Sequence, residues 1–185
     1  MTRSTTRPIR RLLGAGAALL IVGGALAGCS AHPGQAASMS YAGLDGSQNT
    51  VVVTEQEVED ATADLTEYAT KLGGQGPSSA EVLNGLVGGP VLEELATEYG
   101  ITVTSEDARA TLEEQAGPGI DYSPAAVEFF RYTLLSTQLN DLAAQDDEVV
   151  VQYQNLQSTM SLDISPRYQG GGSWLLQEDP VLQLG

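Results

Sequence analysis

Cysteine, histidine and lysine each occur only once in this 185-residue sequence, as Cys29, His32 and Lys71. His32, the sole imidazole, lies among small polar residues, which argues against a Ser-His-Asp catalytic set. No glycine-rich loop leads into a Lys-Ser or Lys-Thr pair, so a phosphate-binding loop of that type is excluded. We therefore expect no enzyme activity, no catalytic residue and no cofactor.

The single cysteine directly follows three small or apolar residues, Leu26, Ala27 and Gly28, in the lipobox pattern of bacterial lipoproteins. Four arginines and no acidic residue precede an apolar run over residues 12–26, which is shorter than the roughly 20 residues that a membrane-spanning helix needs. We predict a signal peptide over residues 1–28 and a diacylglyceryl anchor on Cys29, which would hold the protein at the extracytoplasmic face of the cell membrane. The alternatives are an uncleaved N-terminal anchor and a buried free thiol.

Acidic residues dominate the chain after the predicted signal peptide, where four basic residues stand against 24 acidic ones, a formal charge of −20. Such a charge is repelled by phosphate backbones and by anionic lipid headgroups, so nucleic acid is excluded as a partner. Acidic runs such as Asp146-Asp147-Glu148 and Glu93-Glu94 lack the alternating ligands of a calcium loop, and we expect no metal site. Arg167 is predicted to pair with a neighbouring carboxylate.

Helix start signals and apolar spacing predict a mostly α domain of about five helices. The predicted caps are Thr54, Ser78, Thr104 or Ser105, Ser123 ahead of Pro124, and Asp146 or Asp147. The second helix is predicted to break or kink at Gly88-Gly89-Pro90. Short extended segments lie near residues 39–42, 51–53 and 160–164, and the first and last can pair. The predicted organisation is a flexible tether over residues 29–38, a helical domain over 39–168 and a glycine- and proline-rich tail over 169–185.

The fourth helix carries two apolar stripes, although one suffices to pack a helix against a core. The second stripe consists of Val127, Phe130 and Leu134. In one interpretation the helix is central and contacts its own domain on both sides. In the other, the second stripe lines a groove in which an apolar peptide segment docks.

Four phrases occur in a characteristic order: VTEQEV at 53–58, VLNGLV at 82–87, YGITVTSED at 99–107 and ISPRY at 164–168, ahead of Trp174. Behind a lipobox, this set resembles the N-terminal helical domain of SurA-type extracytoplasmic chaperones, in the lipoprotein form of high-GC Gram-positive bacteria. The resemblance covers residues 38–174. Two departures are Gly88-Gly89-Pro90, where the family's helix is usually continuous, and the glycines at 170–172.

The resemblance implies that an apolar concavity between helices binds unfolded or newly exported polypeptides. In this family, prolyl isomerase activity belongs to a separate parvulin domain, and the eighteen residues after Arg167 are too few to form one. We therefore expect no prolyl isomerase activity. The alternative function is a structural or adaptor lipoprotein that holds one folded partner in the cell envelope.

Overall fold

Five α-helices and a three-stranded antiparallel sheet make up residues 33–168, which is the part of the chain that the computed structural model describes. The mostly α fold with flanking strands is thus confirmed. Cys29, its lipobox residues and the predicted tail at 169–185 lie outside the described residues. Within residues 33–168, no helix has the length and hydropathy needed to cross a bilayer. In chain order the elements are β1 (Gln35–Ala42), β2 (Gln48–Thr54), α1 (Glu55–Lys71), α2 (Ser79–Glu98), α3 (Ser105–Ala116), α4 (Pro124–Ala143), α5 (Asp147–Ser158), β3 (Ser161–Ile164) and a short 3-10 helix (Pro166–Tyr168).

The sheet has the order β2-β1-β3, so that the first strand of the described chain is central. Ala37 lies opposite Val53 of β2 on one side and opposite Ile164 of β3 on the other. The predicted pairing of the first and last strands is therefore confirmed. The predicted C-terminal boundary of the tether, at residue 38, is wrong, because β1 begins at Gln35 and Ala36 and Ala37 are almost completely buried. Small alanine side chains have the composition of a linker, yet here they pack in the core.

The predicted helix starts are confirmed. Three helices begin with capping boxes. In each, the cap hydroxyl accepts a hydrogen bond from the backbone N–H three residues later, and the carboxylate of that later residue accepts one from the backbone N–H of the cap. Each such cap stabilises its helix by about 1 kcal/mol. The capping hydrogen bonds also lower the pKa of the Glu81 and Asp107 carboxyls. The five caps are Thr54, Ser78, Thr104, Ser123 and Asp146.

The second helix is continuous through Pro90, so the predicted break at Gly88-Gly89-Pro90 is wrong. Proline removes one backbone hydrogen bond and costs an isolated helix about 3 kcal/mol. Tertiary packing offsets this cost, because α2 buries side chains on both sides of the proline, including Val87, Val91 and Leu92. The local propensity for a break is overridden by packing of the helix against α4 and the sheet.

Close packing of α2 against α4 depends on Gly85. A Cβ atom at this position would lie 2.5 Å from Cδ2 of Phe129 on α4, which is far inside van der Waals contact. At Gly89, one turn further along the same face, a Cβ would lie 3.8 Å from Cβ of Tyr132, an ordinary contact. Only the first of the two glycines is therefore required by the packing.

We expect the alanine variants of these two glycines to change stability in opposite directions. Gly85→Ala should lower the free energy of unfolding by about 1–2 kcal/mol, because overpacking costs more than the gain in helix propensity. Gly89→Ala should raise it by up to about 1 kcal/mol, since only the propensity changes. Urea denaturation of both variants measures the difference. Equal effects would contradict the close approach of Phe129 to Gly85.

Candidate functional site

The second stripe of α4 packs within the domain. Val127 is only 2% exposed and belongs to the core, which favours the interpretation of α4 as a central helix. Phe130 is half-buried and meets the ring of Tyr68 on α1 edge-on, with 5.8 Å between the ring centroids. Leu134 is also half-buried and packs against the core. The structure places the stripe as expected for a central helix with contacts on both sides.

An apolar groove lies elsewhere, between the edge strand β2 and the helices α2 and α4. Its volume is about 220 Å³, and none of the three second-stripe residues lines it. Gly85 and Gly89 line it on α2, where the absence of side chains lets Phe129 and Tyr132 of α4 approach the helix. The apolar walls are Val51 and Val53, which face the helices from β2, Leu86 and Pro90 from α2, and Tyr132 and Leu135 from α4.

Sequence reasoning missed this groove. Its walls come from segments more than thirty residues apart, and their meeting depends on where the sheet lies against the helices. One signal was present: Gly85 and Gly89 are spaced four apart, and therefore share one face of an otherwise apolar helix. Two glycines on one helix face indicate the side on which a neighbouring element can come close to the helix backbone.

The outer side of the groove is the free edge of the sheet. β2 pairs only with β1 among the described strands, and Val52 at its centre is 54% exposed. Monomeric proteins usually blunt such an edge with lysine, proline or a covering segment, since it invites pairing with another chain. Within residues 33–168, β2 carries none of these features over Gln48–Thr54.

Charged side chains stand at the rim. The Arg131 guanidinium binds Glu93 on α2 through two hydrogen bonds of 2.7 Å, and its Nε donates to Glu128 at 2.8 Å. This arrangement raises the pKa of Arg131, mainly through the hydrogen bonds to Glu93, and lowers that of Glu93. The lining of the groove itself carries two carboxylates, Glu57 and Glu128, against the single guanidinium of Arg131, which is already paired with Glu93. The rim is therefore negative.

Glu93→Gln should lose stability in a pH-dependent way. Because Arg131 lowers the pKa of Glu93 in the folded chain, the ionised pair stabilises the fold above the ordinary pKa of 4.5 and loses this effect as the pH falls through the lowered value. At pH 7 the loss should be about 1 kcal/mol, since Glu93 is partly exposed. Urea titrations of both proteins between pH 3 and pH 7 measure it. The difference from wild type should shrink below pH 4.5, whereas Glu114→Gln, at an exposed site on α3, should show no such trend.

The other charged groups singled out in the sequence have structural contacts. Arg167 donates to Glu59 at 2.8 Å, which confirms its predicted pairing. Asp146 caps α5 by accepting from the backbone N–H of Glu148, and Glu94 accepts from the backbone of the β1–β2 loop. Among residues 33–168, no cluster of three or more His, Cys, Asp or Glu side chains is arranged to hold a metal ion.

Comparisons with protein-family models, with curated proteins and with solved structures find no match for this chain. The groove, its rim and the edge of β2 are therefore the features from which a function is inferred. They combine an apolar floor, a negative rim and a strand edge without a partner among the described residues.

Proposed function

We propose that this protein is a lipid-anchored, extracytoplasmic, chaperone-like protein that binds unfolded or newly exported polypeptides in the groove between β2, α2 and α4, without catalysis. The observation that carries the proposal is an apolar groove bounded by an exposed strand edge. Exposed apolar side chains and unpaired backbone are the two features that an unfolded chain presents and that this groove matches.

The size of the groove favours a polypeptide over a small molecule. Pockets for drug-sized ligands typically enclose about 300–1,000 Å³ and bury most of the ligand. This groove, at about 220 Å³, is smaller and open along the sheet edge. It has room for a few side chains of a longer chain that continues beyond it on both sides.

Charge restricts the clients. The chain carries a formal charge of −16, and the part after the predicted signal peptide carries −20. Polypeptides with lysine or arginine near an apolar segment are attracted to this surface, while acidic ones are repelled. The attraction acts mainly on the rate of encounter and weakens with salt.

The proposed anchor on Cys29 places this groove where exported chains emerge. A domain with this charge is repelled by anionic headgroups and stands away from the bilayer that holds its anchor. The groove would then be open to chains on the outer side of the membrane.

The test is suppression of aggregation by the full chain in phospholipid nanodiscs, with several unrelated denatured proteins as clients. Val51→Glu places a charge on the helix-facing side of β2, in the lining of the groove. Leu162→Glu is its matched control, because Leu162 is also half-buried, lies opposite the same Met39 on the other side of β1, and does not line the groove. Wild type and Leu162→Glu should suppress aggregation, and Val51→Glu should not. Equal circular dichroism and urea midpoints establish that both variants are folded.

Failure of wild type to protect any client would contradict the chaperone proposal and favour the adaptor function. Equal protection by the two variants would move client binding away from the groove. Acceleration of proline isomerisation that copurifies with the chain would contradict the absence of catalysis.

A further inference from the structure

The backbone N–H and C=O groups of successive β2 residues point alternately toward β1 and away from it. The register of the two strands shows which residues point their groups away from β1. Gly43 N donates to Ser47 O at 2.8 Å across the loop between β1 and β2. In an antiparallel pair, hydrogen-bonded partners recur at every second residue. The bonded pairs are therefore Tyr41 with Asn49, Met39 with Val51 and Ala37 with Val53, in the observed register.

Thr50 and Val52 consequently direct their backbone N–H and C=O groups away from β1. The same alternation holds at Thr54, whose outward N–H donates to the Glu57 carboxylate at 2.8 Å as part of the α1 cap. Within residues 33–168, no backbone group accepts from or donates to the outward groups of Thr50 and Val52. Both residues are exposed. They form a short, unpaired ladder edge beside the apolar groove.

We propose that a client binds as a fourth strand, in an extended conformation, pairing its backbone with Thr50 and Val52 of β2. This inference rests on the proposed function and specifies how the groove holds its client. Backbone hydrogen bonds are independent of client sequence, while alternate side chains of the added strand point into the groove. The client class is an extended segment with apolar residues at alternate positions and a flanking lysine or arginine.

The charges at the groove support this choice of occupant. Glu57 lies at the α1 end of β2 and Glu128 on the α4 side, and both line the groove. Arg131 is already held by Glu93 and Glu128, which leaves the rim with more carboxylate than guanidinium. A basic residue next to the paired segment meets this excess, whereas a second copy of the acidic chain meets repulsion.

The test measures binding of a fluorescent, capped ten-residue peptide, with valine alternating with threonine and lysine at both ends, to the full chain in nanodiscs. Val52→Pro removes the outward N–H, and its ring is tolerated because that N–H takes no part in the ladder with β1. Val52→Ala keeps the N–H and removes the side chain. Val52→Pro should weaken binding about tenfold relative to Val52→Ala.

N-methylation of the peptide, one residue at a time, supplies a readout that leaves the protein intact. A bound strand directs alternate N–H groups to β2, so binding should weaken at every second position and change little between them. Uniform effects along the peptide, or equal affinities of Val52→Pro and Val52→Ala, would overturn strand addition while leaving groove binding in place.

Three further outcomes overturn the inference in distinguishable ways. Wild type that binds none of the peptides, and protects no denatured protein, contradicts the proposed function itself. A dimer that dissociates on Val52→Pro, detected by light scattering, assigns the edge to a second copy of the chain. Peptide binding that begins only after deletion of residues 169–185 assigns it to the chain's own C-terminal segment.

Discussion

Cys29→Ser is expected to abolish lipid attachment and to leave the protein uncleaved or released from the membrane. Cys29 is the only thiol in the chain, and the diacylglyceryl group needs a sulfur atom to form its thioether. Each methylene of a buried acyl chain contributes about 0.8 kcal/mol, so two chains anchor a protein stably where a single chain binds only reversibly. Without them, the acidic chain has no remaining affinity for an anionic bilayer.

Metabolic labelling with a fatty acid and membrane fractionation measure the effect of Cys29→Ser. Ser30→Ala, at the neighbouring position, is the matched control and should keep both the label and the membrane location. Wild-type labelling in the Cys29→Ser variant would contradict the assignment.

Phe130→Ala is expected to destabilise the domain and to leave client affinity unchanged. The ring packs edge-on against Tyr68 and joins α4 to α1. Removal of a fully buried phenylalanine costs about 3–5 kcal/mol, and for this half-buried ring we expect about 2–3 kcal/mol. The client should be unaffected, because Phe130 does not line the groove.

The urea midpoint and the affinity for a bound peptide, measured on the same variant under folding conditions, separate the two effects. Phe130→Leu, which keeps most of the apolar volume, should recover much of the lost stability. A stable Phe130→Ala variant with weakened peptide affinity would return the site to the second stripe of α4.

The features that sequence predicted correctly depend on residues close together in the chain. A capping box such as Thr54 with Glu57 is complete within four residues, and so it identifies the start of α1 in any tertiary context. The apolar residues Val58, Ala61 and Leu65 recur at spacings of three and four, and all three are buried on one face of α1. Leu72 continues the same spacing but is 50% exposed at the C-cap, because spacing does not show where the neighbouring elements end.

The features that sequence missed depend on tertiary placement. Pro90 indicates a break locally, and only the burial of α2 on both sides of it keeps the helix continuous. Val52 belongs to an ordinary run of three valines, and its place on an edge strand results from the sheet order β2-β1-β3. In the sequence, nothing distinguishes Arg131 from the other three cations after the predicted signal peptide. Its pairing with Glu93 of α2, at 2.7 Å, depends on how α2 packs against α4. In each case the missing information is which element lies beside which.

The order of the strands along the chain has a consequence for folding during synthesis. β1 emerges before every other element of the described chain, but one of its two neighbours, β3, comes more than a hundred residues later, with Ala37 opposite Ile164. Pairing over such a separation is slow, because a long loop must close before the contact forms. Until Ile164 has emerged, β1 has only β2 beside it, and its other edge is open to any neighbouring chain. A stall in synthesis before residue 161 would therefore leave a hairpin that is prone to pairing with the wrong partner.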